Sequence, residues 1–285
     1  MYYTACALCP RNCKVNRAAG QTGYCGGPSV ALVAKTMLHK WEEPALAGSG
    51  GSGAIFFGGC TLGCKYCQNR AISACPTGRS MDSAQLRAEM ENLIAQGAEN
   101  IDLVTPTHFL PTIIPALHPK LSVPVVYNCG GYEKAETIEL LNGLVDIYLP
   151  DLKYADDTLA SALSGAADYF SVATKAIYAM YQQVGPVCWQ GEKVVKGVIV
   201  RHLILPGQVE NSLKVLDWLG ETFPSGAVLV SLMRQYTPMG GLPAPFDRAI
   251  TDQEYEAVLS WMYLNGLQGF TQEESASDVA FIPDF

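Results

Sequence analysis

The sequence lacks any apolar run approaching the roughly 18 uncharged residues a membrane span needs, so no membrane partner is expected. It also lacks a basic start followed by an apolar stretch. Met1-Tyr2-Tyr3-Thr4-Ala5 opens the chain, so no secretory leader is expected and a cytoplasmic location is. Basic residues are few, 19 against 27 acidic, and the net charge of −8 argues against nucleic acid as the main partner. Internal repeats and long low-complexity tracts are missing too, which excludes a solenoid. Cysteine is present, but ten in 285 residues is too sparse for a disulfide scaffold. What is abundant is apolar surface. At 49% hydrophobic and 16% charged, the chain can build a core, which rules out global disorder. Its length suits one large domain, or a domain with a small appendage.

The cysteines fall into two tight groups: Cys6, Cys9, Cys13 and Cys25, then Cys60, Cys64 and Cys67. Cys75, Cys129 and Cys188 stand alone and read first as buried structural thiols. In a reducing compartment, grouped cysteines point to metal. Residues 1–47 read as a Cys-rich extension and 48–285 as the main body. The Gly48-Ser49-Gly50-Gly51-Ser52-Gly53 run between them has a flexible linker's composition.

Beyond it, strand and helix patterns alternate. Ala54–Phe57 reads as a buried strand that runs into Cys60. A helix is expected from Asp82 to Gln96, stopped by Gly97. Strands are expected at Ile101–Thr105, Val123–Asn128, Val145–Leu149, Val194–Leu205 and Val228–Leu232. Helices are expected over Lys134–Leu144 and Ala167–Val184, and around Leu213–Leu219. Thr251-Asp252-Gln253-Glu254 is a capping box opening a last helix. About six strands alternating with helices imply an α/β fold with a parallel sheet. That sheet is either an open partial barrel or doubly wound, with ligands at the strand C-termini in both cases.

Cys60-Thr61-Leu62-Gly63-Cys64-Lys65-Tyr66-Cys67 places three thiolates where they can wrap one soft metal centre. Four would close a zinc site or a conventional iron–sulfur cluster; three leave a position open for chemistry. A zinc site with a distant fourth ligand, or three core cysteines, is the plainer alternative.

CxxxCxxC with an aromatic residue before its last cysteine, directly after the first strand of an α/β chain, resembles the radical S-adenosylmethionine (SAM) superfamily. The similarity is nearest to the pyruvate formate-lyase activating enzyme-like branch and covers about Gly48 to the C-terminal helix. The resemblance implies a partial (β/α)6 TIM-like barrel. It implies that Cys60, Cys64 and Cys67 hold a [4Fe-4S] cluster whose fourth iron chelates SAM. Reductive cleavage would then yield a 5′-deoxyadenosyl radical that abstracts hydrogen from a substrate.

The implied SAM contacts follow position by position. Tyr66 would meet adenine through its backbone. Many members carry Gly-Gly-Glu after the second strand; this chain departs, with Thr105-Pro106-Thr107-His108, so Thr105 and Thr107 would take the ammonium. Asn128 would bind ribose. Asp151-Leu152-Lys153 resembles the activase Asp-x-Lys motif, its lysine on the SAM carboxylate. Arg201 and His202 would line the cavity from the fifth strand. Plainer readings exist: a helix cap for the threonines, a turn for Asn128, a solvated loop for Asp151 and Lys153, a core histidine for His202. Arg201 resists one, because a charge in so apolar a strand normally has a partner.

Cys6, Cys9, Cys13 and Cys25 could close a structural zinc site or an auxiliary cluster, or bind no metal. The implied substrate is a protein or peptide, such as a glycyl-radical protein, with a small molecule as the alternative. A flavodoxin or ferredoxin reductant, an anaerobic setting and a monomer are expected alongside. The competing reading from another class is a zinc- or iron–sulfur-binding module without catalysis, which would need only the cysteines.

Overall fold

The structure, a computed structural model, describes residues 2–272. Strand β1 (Ala31–His39) is followed by the one-turn helix α1 (Pro44–Ala47), β2 (Ser52–Phe57), α2 (Arg70–Ser73) and β3 (Arg79–Met81). Helix α3 (Ser83–Ala95), β4 (Ile101–Val104), α4 (Leu110–Ala116), β5 (Val125–Cys129), α5 (Ala135–Glu139) and β6 (Ile147–Pro150) continue the alternation. Then come α6 (Asp157–Ser164), α7 (Tyr169–Val184), β7 (Cys188–Gln190), β8 (Lys193–Leu203), α8 (Val209–Thr222), β9 (Leu229–Met233), α9 (Asp252–Leu264) and β10 (Gly269–Thr271).

Strands β2, β4, β5, β6, β8, β9 and β10 pair in that order, all parallel. Strand β1 lies antiparallel to β2 and β3 antiparallel to β1, so the path ends at β3 and β10 and the barrel stays open. This is the partial α/β barrel expected, with β10 as an additional parallel strand.

The helices arise where the sequence signals them. Asp82 and Gln85 form a reciprocal capping box on α3, and Leu86, Met90 and Leu93 bury its inner face. Thr251 and Glu254 do the same for α9. Helix α5 is shorter than expected, ending at Glu139, and α6 was not anticipated. Among the described residues, no helix is long and apolar enough to cross a membrane.

The glycine run before β2 is packed, not a free linker. A Cβ on Gly50 would lie 2.2 Å from the Gly97 carbonyl oxygen, and one on Gly53 2.9 Å from Ile101 Cδ1. Ser52 and Gly53 already belong to β2. Residues 31–39, on the extension side of the expected boundary at 47, are a strand of the main sheet.

Side-chain alternation sorts each strand into two faces. Outward residues such as Leu103, Tyr127, Tyr148, Val200 and Val230 join the large core beneath the helices. Inward residues Val126, Ile147, Leu149, Ile199 and Leu229 form a second core inside the barrel, capped from below by Ala45 and Leu46 of α1. The next inward positions along the strands are polar. They carry the site.

Candidate active site

Asn128, Arg201 and Ser231 are the inward residues one step beyond the inner core on β5, β8 and β9, and Asp102 of β4, level with Val126, accepts from Asn128 Nδ2 at 3.3 Å. Asp151 follows β6 and bridges to Arg201 in parallel register. Arg201 Nε donates to Asp151 Oδ1 at 2.8 Å, and its Nη2 donates to Asn128 Oδ1 at 2.6 Å. Lys153 Nζ donates to the other Asp151 oxygen at 2.6 Å. Burial alone would raise the Asp151 carboxyl, but the Arg201 and Lys153 charges outweigh it and hold the group below its ordinary value. Burial likewise pulls Lys153 down, and Asp151 together with Cys64 pushes it above its ordinary value. The Lys153 ammonium therefore stands within electrostatic reach of the cysteine loop.

Cys60, Cys64 and Cys67 sit on that loop, directly after β2. Burial and the neighbouring Cys64 and Cys67 push the Cys60 thiol up to about 12. A thiol so raised by burial beside two others belongs to a donor set that a cationic centre would satisfy. Donors already point at the sulfurs. Leu62 N–H lies 3.4 Å from Cys60 Sγ, Ser164 Oγ 3.2 Å from Cys64 Sγ, and Ser73 Oγ 3.5 Å from Cys67 Sγ. Among the described residues, no three His, Cys, Asp or Glu are grouped to hold a metal ion. An iron–sulfur cluster spreads its thiolates over separate irons, and the three sulfurs with their hydrogen-bond donors fit that need.

A cavity of about 740 Å³ opens at the strand C-termini, walled by Glu42, Phe56, Gln68, Asn69, Asn128 and Arg201. Asp151 and Lys153 are paired to one another beside Arg201 and are not among its lining residues. Its acidic floor was not foreseen. Glu42 Oε1 lies 3.6 Å from Arg201 Nη1. Burial lifts Glu43 to about 7. Burial and the Glu42 charge raise Asp102 well above its ordinary value. Asp102 was legible: a charge within Ile101-Asp102-Leu103-Val104 needs a partner, as argued for Arg201. Glu42 and Glu43 carried no such signal.

Other expected contacts fall elsewhere. His202 is fully buried on the outward face of β8, with one ring nitrogen 2.6 Å from the Leu152 carbonyl oxygen and the other 2.9 Å from Ser212 Oγ. Strand alternation explains this: one residue after an inward Arg201 must point outward. Thr107 is also outside the cavity; it donates to Glu133 Oε1 at 2.6 Å and accepts from Tyr127. Thr105 is closer to the site, its N–H on the Asn128 carbonyl oxygen at 2.8 Å. Its φ of 60° is a left-handed value that strains a β-branched residue. Tyr66 is buried, its hydroxyl 2.7 Å from that of Tyr154.

Cys6 and Cys9 are buried, while Cys13 and Cys25 are partly exposed. Burial, and charges on Glu133, Cys25 and Cys13, lift Cys9 to about 12. Of the solitary cysteines, Cys129 is buried, but Cys75 and Cys188 are exposed, contrary to expectation.

A family model described as the radical SAM superfamily matches residues 54–219, more than half the chain. An uncharacterized protein of Methanocaldococcus jannaschii is 28% identical over 243 residues, covering 82% of this chain and 66% of that protein. Among solved structures, SuiB of Streptococcus suis bound to S-adenosylmethionine superposes with a TM-score of 0.51 at 13% identity, over 75% of this chain and 48% of SuiB. A radical SAM methyltransferase from Sphaerobacter thermophilus gives a TM-score of 0.51 at 15% identity, over 77% of this chain and 64% of that enzyme. The matched region thus spans at most about two thirds of these relatives' own lengths.

Proposed function

Since the chain belongs to the radical SAM superfamily, we propose that it is an enzyme that binds SAM at a [4Fe-4S] cluster held by Cys60, Cys64 and Cys67. When bound, the two would supply one-electron cleavage of SAM and hydrogen abstraction from a substrate. One observation carries this reading: Lys153, paired with the Asp151 carboxylate that also holds Arg201, directly precedes Tyr154, whose hydroxyl meets the Ser164 hydroxyl that donates to Cys64 Sγ. A module that merely bound metal would need the cysteines alone. It would have no use for three partly buried, mutually paired charges on the neighbouring strand ends.

The chain's own residues would divide the work. Lys153 supplies the cation for the SAM carboxylate. Asp151 fixes that cation and Arg201, while Glu42 on Arg201 leaves Lys153 as the cation facing the ligand. Asn128 would face the ribose from the cavity wall, its Oδ1 held by Arg201 and its Nδ2, now on Asp102 and Glu42 at 3.3 and 3.5 Å, the group a ribose hydroxyl would compete for. The strained Thr105 backbone replaces the acidic ammonium-binding segment of many relatives. His202 and Thr107 are left out of this assignment.

The proposed substrate is a polypeptide segment, as in the activating-enzyme-like branch. In support, the cavity stays open, and its upper wall carries the amides of Gln68, Asn69, Gln235 and Gln272, groups that pair with peptide backbone. A flavodoxin- or ferredoxin-type reductant would supply the electron.

Anaerobic reconstitution with iron and sulfide, then SAM and dithionite, tests the reading. Formation of 5′-deoxyadenosine is expected, and its absence from protein with an intact cluster overturns the assignment. Deuterium transfer into 5′-deoxyadenosine from labelled peptides, and not from small molecules, is the expected substrate result.

A further inference from the structure

Arg11 sits within the first cysteine group, between Cys9 and Cys13, yet its guanidinium reaches the second. Nε donates to the Thr61 carbonyl oxygen at 3.0 Å and Nη2 to that of Leu62 at 2.9 Å. Both carbonyls lie inside the Cys60–Cys64 loop. The same Nη2 donates to the Ser164 carbonyl oxygen at 2.8 Å, and Nη1 donates to that of Gly165. These are terminal carbonyls of α6, whose last turn leaves them without helical partners. The guanidinium also lies over the Tyr24 ring, 3.9 Å from its centroid, and the Tyr24 hydroxyl donates to the Leu62 carbonyl oxygen at 3.1 Å.

The end of α6 that Arg11 grips also supplies a donor to the cluster-binding thiols. Ser164 is buried, and its hydroxyl lies 3.2 Å from Cys64 Sγ. Tyr154 hydrogen-bonds Ser164 Oγ at 2.7 Å and Tyr66 at 2.7 Å, so the hydroxyl stands in a chain leading back to the loop. One rigid fork thus ties two segments about a hundred residues apart, at the point where one hydrogen-bonds the other's sulfur.

Building on the cluster assignment above, we propose that Arg11 is a positioning residue: it holds Ser164 Oγ on Cys64 Sγ and thereby sets the reduction potential of a cluster bound by the loop. A hydrogen bond to a ligating sulfur stabilises the more negative, reduced form, so losing it lowers the potential. Lysine cannot replace the fork, having one nitrogen for four carbonyls.

The experiment is an EPR-monitored redox titration of reconstituted full-length protein without SAM, on wild type, Arg11→Ala, Arg11→Lys, Ser164→Ala and the Arg11→Ala/Ser164→Ala pair. Expected is a lower potential in Ser164→Ala, the same direction of shift in Arg11→Ala, and partial recovery in Arg11→Lys. The double variant should match Ser164→Ala alone, because both act on one hydrogen bond. An Arg11→Ala potential equal to wild type while Ser164→Ala shifts overturns the proposal; so do fully additive shifts. If Arg11→Ala does not fold, Arg11→Lys against Ser164→Ala gives the same comparison. A wild type that holds its cluster but leaves SAM intact would sink the functional reading and leave this measurement standing.

Discussion

Asp151 and Arg201 meet at the ends of neighbouring parallel strands, the guanidinium Nε on Oδ1 at 2.8 Å, while Lys153 takes the second oxygen at 2.6 Å. Arg201 has a second carboxylate in Glu42, 3.6 Å away, so Lys153 is the cation that must share its counter-charge. A ligand carboxylate would give Lys153 a partner of its own. Lys153→Ala is therefore expected to weaken SAM binding by about 10- to 100-fold, the worth of one charge-assisted hydrogen bond. Iron content should stay that of wild type. Equilibrium binding on reconstituted protein measures both, and unchanged affinity would take Lys153 out of the site.

Gly131 is what lets that trio form. With φ at 77°, a Cβ there would lie 2.0 Å from the Asp151 carbonyl oxygen. Gly131→Ala must push the Asp151–Lys153 segment aside, so it should cost roughly 2–4 kcal/mol of stability and weaken SAM binding too. Gly143 provides the comparison. Its φ is 79° with nothing within 4 Å of a Cβ, so Gly143→Ala should cost only about 1 kcal/mol and leave binding unchanged. Urea midpoints and SAM titrations on both variants check this.

Which parts of the site the sequence revealed follows from what periodicity encodes. Strand–helix alternation and the cysteine spacing are local, and they located β2, the loop after it and the run of parallel strands. Arg201 stood out because a charge in an apolar strand demands a partner. Facing was the harder matter. Arg201 and His202 are adjacent, and only the sheet decides that the first points into the barrel and the second to Ser212 on α8. Contacts across long sequence separations left no trace either. Glu42 reaches Arg201, and Arg11 reaches Ser164, through the closure of the fold alone.

Glu133 gives the chain a pH-dependent stability separate from the cavity. It is buried with its carboxyl on Thr107, and burial lifts it to about 8 against those hydrogen bonds. The unfolded chain releases this proton near the ordinary carboxyl value, and the folded chain holds it to about 8. Between those limits the folded state binds more protons, so stability falls as pH rises, by at most about 1.4 kcal/mol per unit, and levels off above. Glu133→Gln copies the protonated form and should lose that slope. Denaturation at intervals from pH 5 to 9 should show the variant overtaking wild type as pH rises; parallel curves would contradict this.

Arg17 is the second anchor of the amino-terminal segment, and its loss should differ in kind from that of Arg11. It is 2% exposed, with Nη1 on the His108 carbonyl oxygen at 2.6 Å, Nη2 on that of Pro28, and the Tyr3 ring 4.3 Å away. None of these partners belongs to the Cys60–Cys67 loop. Arg17→Met keeps most of the apolar stem but strands two buried carbonyls, so it should cost roughly 3 kcal/mol. The loss should appear as early proteolytic cleavage within the first thirty residues, where the undocked segment cannot bury enough apolar surface to refold alone. Because Arg11 still grips Ser164 in the docked population, which remains the majority, the cluster potential should stay at the wild-type value. Timed proteolysis followed by mass analysis, together with the redox titration, separates the two arginines. Equal shifts in potential for both would mean that the whole segment, not Arg11, controls the loop.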